Sequence, residues 1–257
     1  DFKFYNRGLR DYIKHALFYL KAIGNYDIFH FSNAGGLYFS NYLSKILRRL
    51  HLEYLEIKIL KKLGKKIVYS NNGCLDGVSQ TSFSSWGPES VCDICVWKNI
   101  PSVCSDEKNL KWGKIRNELA DYQITLGGNR KDYNEDPRVH EVPGFYCLDH
   151  EFWNPDILIP SNYLLPIDKS TVKILHAIGN FDSRTKGNDK KNIKSSHIYL
   201  PLIEELKKEG YNIELIFFKD IPNKLFRYYQ LQADIVVDML TFGFFGANIR
   251  EAMMLGK

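Results

Sequence analysis

The chain has 257 residues, 44% of them hydrophobic and 25% charged, a composition that is typical of folded proteins and excludes wholesale disorder. Its formal net charge of +5 is spread over short basic runs, which does not favour a nucleic-acid binder and fits weak attraction to an anionic membrane surface or a phosphorylated small molecule. The sequence contains no apolar run near the roughly 18 residues of a membrane span and no secretory signal pattern.

Helices and strands alternate through the first part of the chain. Apolar residues at i, i+3, i+4 and i+7 spacing predict an amphipathic helix that ends at Gly24 and carries Leu17 and Leu20 on its apolar face. Short apolar runs are typical of buried parallel strands. The predicted helices are 8–24, 52–63 and 110–120, and the predicted strands are 26–31, 65–69 and 122–126.

A change of character near residue 150 predicts a domain boundary. Residues 149–170 hold three of the nine prolines and little periodicity, which indicates a linker over 151–170 between domains 1–150 and 171–257. Continued alternation predicts doubly wound parallel sheets in both domains, with ligands at the carboxyl ends of the strands and a cleft between the lobes. In the second domain the predicted strands are 172–177, 213–218 and 235–238, and the predicted helices are 193–209, 223–232 and 247–255.

The last segment carries the most informative motif. A strand leads into a loop that contains Gly243, Phe245 and Gly246, and the loop leads into a helix that carries Glu251. Backbone N–H groups of such a loop and of the helix amino end suit a phosphate, and Glu251 can accept two hydrogen bonds from a ribose diol. The alternative is a structural turn followed by a solvated glutamate.

This segment resembles the donor-site signature of GT-B glycosyltransferases, specifically of glycosyltransferase family 4. The family pattern places two glutamates eight positions apart, and this chain keeps the second as Glu251 but has Gly243 in the place of the first. Residues 174–177, followed by Arg184, Lys186 and Gly187, are similar to the family's strand and basic loop. The resemblance implies that Arg184 and Lys186 bind the donor diphosphate and stabilise its departure without a metal.

The first domain resembles the same family more weakly. Residues 26–32 are similar to a strand end that carries two histidines, of which the chain keeps His30 and replaces the second with Ser32. Residues 65–74 resemble a strand and loop in which Asn72 replaces a histidine. The resemblance implies that His30, Asn72 and Gly73 contact the sugar or the acceptor, and a structural role is the alternative for His30.

The resemblance predicts an α/β protein of GT-B fold, with two Rossmann-like doubly wound parallel-sheet domains facing a cleft. We expect an acceptor-side domain at 1–150, a truncated donor domain at 171–257, and a fragment of a longer protein. The implied activity is retaining transfer of a sugar from a nucleotide-diphosphate sugar to a carbohydrate, lipid-linked or protein acceptor. The alternative is a degenerate or truncated relative that binds a nucleotide sugar, or serves a structural role, without turnover.

Four of the five cysteines lie between residues 74 and 104, in a predicted insertion of the first domain. An odd total of five cysteines, four of them clustered, favours a reducing compartment, so we expect a cytoplasmic protein, with or without peripheral membrane contact. A CxxC pair supplies two thiolates from one turn. The thiols predict either a structural zinc site or a set of reduced, partly buried thiols: Cys74, Cys92, Cys95 and Cys104.

Overall fold

The computed structural model describes residues 9–32, 46–47, 49–70, 74, 77–85, 90–125, 136–142, 148–186, 190–241 and 246–257. The chain divides into two compact units, the first formed by Asp1–Ser82 and Ser105–Phe145, and the second by Phe83–Cys104 and Tyr146–Lys257. The division near residue 145 lies close to the boundary expected at 150. Residues 83–104, most of the insertion expected at 74–104 in the first domain, group with the second unit, as do residues 151–170, expected as a linker.

A parallel sheet of four strands organises the first unit. Its order is β1-β2-β3-β4, so each new strand is added on the same side of the previous one. The strands are β1 (Ile28–Ser32), β2 (Lys66–Ser70), β3 (Tyr122–Thr125) and β4 (Val139–Glu141), and the helices are α1 (Leu9–Asn25), α2 (Leu55–Lys62), α3 (Gln80–Ser84) and α4 (Asp106–Leu119). Helix α3 spans the boundary between the units, because the first unit includes its residues up to Ser82 and the second begins at Phe83.

The core of the first unit lies where α2 and α4 cover the central strand. Ile57 and Leu60 of α2 and Ile67 and Tyr69 of β2 are completely buried, and Trp112 of α4 meets the Tyr69 ring edge-on at 5.4 Å. Burial of these apolar side chains is the main term that stabilises the unit.

Helix α1 forms as its periodicity predicts, but a different face is buried. Tyr19 and Ala22 lie in the core, where the Tyr19 hydroxyl donates a 2.5 Å hydrogen bond to the backbone carbonyl of Glu56. Leu17 and Leu20, on the predicted apolar face, are 62% and 64% exposed. The spacing of apolar residues therefore predicts the helix correctly, whereas the face that packs is decided by tertiary contacts.

A parallel sheet of three strands organises the second unit. Its order is β6-β5-β7, so the first strand is central and the later two flank it on opposite sides. The elements are β5 (Val172–Ile178), α5 (Phe181–Arg184), α6 (Ser196–Lys208), β6 (Ile213–Lys219), α7 (Asn223–Gln232), β7 (Ile235–Val237) and α8 (Ala247–Met254). The buried core of this sheet consists of Leu175, Ala177, Ile216, Phe226 and Ala233.

This strand order creates a switch point in the second unit. From β5 the chain crosses to one side to form β6 and then to the opposite side to form β7. The connection that leaves the carboxyl end of β5 runs towards β6 and away from β7, the neighbour of β5 on the other side. Open parallel sheets bind ligands in the crevice at such a reversal of strand order. In the first unit the described strands follow sequence order without a reversal. The topology therefore favours the second unit as the place for a ligand.

The mixed α/β class with parallel sheets in both units is confirmed. The predicted helices and strands coincide with the observed ones to within four residues at each end wherever the structure describes them. Among the described residues, no helix combines the length and the hydropathy that crossing a membrane would require.

A buried carboxyl in the first unit makes its stability depend on pH. Glu56 is 4% exposed, and burial raises the pKa of its carboxyl above the ordinary value of 4.5. A raised folded-state pKa stabilises the fold below the unfolded pKa, and this contribution is lost as pH rises through the folded value. We therefore expect Glu56→Gln to raise the melting temperature at pH 7.5 and to leave it nearly unchanged at pH 4.

Thermal unfolding at both pH values measures this effect. The exposed Glu107→Gln in α4 is the matched control and should give no increase at either pH, because Glu107 lies in the first turn of its helix where a carboxylate is favourable. An equal change for Glu56→Gln at pH 4 and pH 7.5 would contradict the burial argument.

Candidate functional site

A cavity of about 370 Å³ lies at the carboxyl edge of the sheet in the second unit. It combines the end of β5, the turn after β6, the start of α7 and one side of α8. Positive, negative, amide and apolar side chains meet in it, which is the mixture expected of a small-molecule site. The lining residues are Ala177, Ile178, Gly179, Arg184, Lys194, Asp220, Ile221, Pro222, Asn223, Phe226, Asn248 and Glu251.

Two turns shape the floor of the cavity. Asn180 and Asp220, which follow β5 and β6, both have left-handed backbone conformations, with φ of 53° and 61°. The Asn180 backbone N–H donates a hydrogen bond to the carboxylate of Asp220, so the two turns are tied together. Asn248 of α8 donates to the Ala177 carbonyl at 3.3 Å. These contacts fix the ends of two strands and of one helix around the opening.

Glu251 is a buried acid in the wall of the cavity. It is 5% exposed, and its Oε1 accepts a hydrogen bond from the Asn223 side chain at 3.3 Å. Burial raises the pKa of the Glu251 carboxyl, and the Asn223 hydrogen bond and the charges of Arg250 and Lys194 act against this rise. The carboxyl oxygens can accept hydrogen bonds from the hydroxyl groups of a ligand, and a protonated carboxyl can also donate one.

Arg184 and Glu251 line the same cavity, whereas Lys186 is not among its described lining residues. Arg184, the last residue of α5, is an exposed side chain that lines the same cavity as Glu251, and no described residue pairs with its guanidinium. Lys186 lies two positions farther on and is exposed, but it is not one of the described residues that line the cavity.

Lys194 is a cation of the site that the sequence analysis did not identify. It lines the cavity, and its Nζ forms an ion pair with Asp238, whose side chain is only 3% exposed. Both residues were visible in the sequence, Lys194 in a short basic run and Asp238 at the end of a strand. Their 44-residue separation hides the pairing, which only the fold reveals.

Asp238 also binds the amino end of α8. Its Oδ2 accepts a hydrogen bond from the backbone N–H of Gly246, the cap residue of α8, at 2.7 Å. A Cβ at Gly246 would stand 2.6 Å from Lys194 Nζ and 2.7 Å from Asp238 Oδ2. A side chain at Gly246 would therefore displace the ion pair, which fills the space that its Cβ would take.

A buried histidine contacts the start of α6, two residues after Lys194. His176 of β5 is completely buried, and its Nε2 lies 2.7 Å from the Ser196 hydroxyl. Burial lowers the pKa of His176 from its ordinary value of 6.5, so the ring is neutral at physiological pH. A neutral imidazole can share a hydrogen bond with a serine without adding a charge to the site.

The remaining predicted contacts fall outside the cavity or outside the described residues. His30 lies in the middle of β1 on the exposed face of the strand, not at its carboxyl end and not in the core. The contact of His30 with the sugar or the acceptor stays a prediction. The other predicted contacts lie outside the described residues: Asn72, Gly73, Gly187, Gly243 and Phe245.

The four clustered cysteines divide between the units. Cys74 belongs to the first unit and Cys92, Cys95 and Cys104 to the second, and all four are free thiols. Burial raises the pKa of Cys92, and the nearby Cys95 and Cys104 raise it further. Within the part of the chain that the structure describes, no group of three or more His, Cys, Asp or Glu residues is arranged to hold a metal ion. The structural zinc site and the set of reduced thiols both stay predictions.

A second cavity of about 590 Å³ lies beside the edge strand β6. Its described lining includes the carboxylates of Asp168 and Glu214 but no lysine or arginine, and most of the other described lining residues are apolar. It is larger than the cavity that contains Arg184, but its charge does not suit a phosphorylated ligand.

Comparison of the chain with protein-family models gives no match, and comparison with curated proteins gives none either. The resemblance to glycosyltransferase family 4 therefore stays a prediction.

The crowding at Gly246 can be tested by adding one methyl group. Gly246→Ala forces Lys194 or Asp238 to move, and we expect the free energy of unfolding to fall by about 1–3 kcal/mol, the usual cost of overpacking. Gly24→Ala at the end of α1 meets nothing within 4 Å and serves as the control. The control should gain roughly 0.5–1 kcal/mol, because alanine favours a helix more than glycine does. Urea unfolding of both variants measures the difference. Equal free energies of unfolding for Gly246→Ala and Gly24→Ala would show that the ion pair does not fill the space beside Gly246.

Proposed function

We propose that the second unit binds a nucleotide-diphosphate sugar in the cavity that contains Arg184 and Glu251, and that the protein transfers the sugar to an acceptor. One observation carries this proposal: two cations and a buried acid from distant parts of the sequence line one cavity at the carboxyl edge of a parallel sheet. On this proposal the first unit is the acceptor domain and the second the donor domain of a GT-B fold.

The charges of the cavity suit a diphosphate. The Arg184 guanidinium can form two parallel hydrogen bonds to phosphate oxygens, and an ammonium adds a second positive charge. During transfer, the bond between the anomeric carbon and the diphosphate oxygen breaks, and the acceptor hydroxyl oxygen bonds to that carbon and loses its proton. The diphosphate gains negative charge as it leaves, so fixed cations stabilise the transition state more than the ground state.

Glu251 and its amide neighbours suit a ribose. A ribose offers two adjacent hydroxyl groups, and a carboxylate can accept from both. Asn223 already donates to Glu251 and thereby fixes the orientation of its side chain. The apolar side chains of Ile221 and Phe226, in the same lining, give a base or a sugar ring a surface to pack against.

Binding without turnover is the second candidate, and one residue favours it. Where the resembled family has the first glutamate of its pair, this chain has Gly243. A missing carboxylate removes a contact to the transferred sugar and leaves the contacts to the diphosphate and the ribose in place. A relative that kept only those contacts would bind a nucleotide sugar and not transfer it.

Isothermal titration with UDP, GDP and ADP and with their sugars tests donor binding. We expect one of these ligands to bind, and we expect Arg184→Gln to weaken its binding about 10- to 100-fold, since a hydrogen bond to a charged group contributes roughly 1.5–3 kcal/mol. Lys208→Gln, an exposed change in α6 outside the cavity, should leave the affinity unchanged. If no nucleoside diphosphate or nucleotide sugar binds, the proposed function is wrong.

Release of free sugar or transfer to an acceptor separates the two candidates. Incubation of the protein with the nucleotide sugar that binds, followed by measurement of the free nucleoside diphosphate, detects turnover to water or to any acceptor that is present. Formation of the nucleoside diphosphate supports the enzyme. Tight binding without product, across carbohydrate, lipid-linked and protein acceptors, supports the binding module.

A further inference from the structure

We propose that Lys194, and not Lys186, supplies the second positive charge of the cavity, and that Asp238 holds it there. This inference rests on the proposed function for the identity of the natural ligand. The resemblance assigns the second cation to Lys186, the lysine closest to Arg184 in sequence. In the structure Lys194 lines the cavity with Arg184 and Glu251, and Lys186 does not contribute to the described lining.

The backbone that follows Lys194 is anchored. Ser195 is completely buried, and its hydroxyl accepts a 3.0 Å hydrogen bond from the Leu240 backbone N–H, which ties it to the end of β7. Ser196 is buried against His176 of β5, with 2.7 Å between the hydroxyl and the ring. The lysine side chain therefore starts from a fixed point beside both strands of the switch point, unlike an ordinary surface lysine.

The tip of the side chain is anchored as well. Lys194 is 16% exposed, and its ammonium pairs with the buried Asp238. An ammonium group has three donors, and among the described residues only Asp238 accepts from it. A side chain that is already ordered loses little rotamer freedom when an anion binds to it.

Asp238 makes this position of the ammonium tolerable. A helix amino end carries partial positive charge, so a lysine placed there is unfavourable by itself. The Asp238 carboxylate lies between the two, accepting from Lys194 through one oxygen and from the Gly246 backbone N–H, at 2.7 Å, through the other. Asp238 is thus a positioning residue that holds the cation at the helix end without taking all of its donors.

Titration of inorganic pyrophosphate and of the nucleoside diphosphate that binds most tightly tests the assignment. We expect Lys194→Met to weaken both ligands at least 10-fold. Lys186→Met should change neither by more than about 2-fold, and Lys191→Met, an exposed lysine of the same basic run, is the matched control. A loss of affinity in Lys186→Met with unchanged affinity in Lys194→Met would overturn the proposal.

Removing Lys194 leaves a buried aspartate without its partner, which can unfold the unit. The double variant Lys194→Met with Asp238→Asn avoids this, because neither residue then carries a charge. We expect its melting temperature to lie closer to that of the native protein than that of Lys194→Met, and its affinity to stay at least 10-fold lower. A folded double variant with native affinity would contradict a direct role for Lys194.

Salt dependence separates positioning from folding. Asp238→Asn keeps the lysine charge but releases it, so we expect several-fold weaker pyrophosphate binding that still weakens further as salt increases. Lys194→Met should show weaker binding and a smaller dependence on salt, because one ionic contact is lost. If Asp238 were only structural, Asp238→Asn would lower the folded fraction and leave the affinity of the folded protein unchanged.

The outcomes also separate this inference from the proposed function. Binding of pyrophosphate that depends on Lys194, without binding of any nucleoside diphosphate, would support Lys194 and end the nucleotide-sugar proposal. Binding of a nucleotide sugar that is equal in the native protein and in folded Lys194→Met would leave the function in place and overturn the role of Lys194. If the native protein binds neither ligand, both proposals fail.

Discussion

The ion pair between Lys194 and Asp238 is the interaction on which the candidate site depends. It joins the loop before α6 to the residue that follows β7 and, through the Gly246 backbone N–H, to the amino end of α8. These three segments meet only because β7 lies on the opposite side of β5 from β6. A buried pair of this kind adds little net stability over an apolar pair but strongly disfavours any arrangement that separates it. Its main effect is therefore to fix the position of the Lys194 ammonium group.

The same interaction explains why the site mixes charges. In an anion site made only of arginine, lysine and a helix amino end, the positive charges would repel one another when no anion is bound. Here Asp238 balances the ammonium and the helix end, and Arg184 remains without a described partner in the same cavity. A diphosphate would meet one exposed guanidinium and one ammonium that is already oriented. This combination requires little rearrangement on binding, which is the condition for effective electrostatic stabilisation.

The sequence predicted the elements well because periodicity and glycine stops are local signals. Helix Asn223–Gln232 and strand Ile235–Val237 appear almost as expected. The placement of Arg184 and Glu251 around one cavity was also foreseeable, because both follow the carboxyl ends of predicted parallel strands. The buried face of α1 was not, since Leu17 and Leu20 satisfy the helical spacing and yet remain exposed. Lys194 was missed for a related reason: its role arises from a contact across 44 residues, whereas Lys186 stands beside the arginine in sequence.

A crystal structure of the protein with a bound nucleoside diphosphate measures the central interaction most directly. We predict phosphate oxygens within about 3 Å of both the Arg184 guanidinium and Lys194 Nζ, the normal length of a charge-assisted hydrogen bond, with the ribose hydroxyls beside Glu251. Phosphates bound by Lys186 outside this cavity, or a nucleotide bound in the second cavity beside β6, would contradict the assignment of Arg184 and Lys194 to the diphosphate.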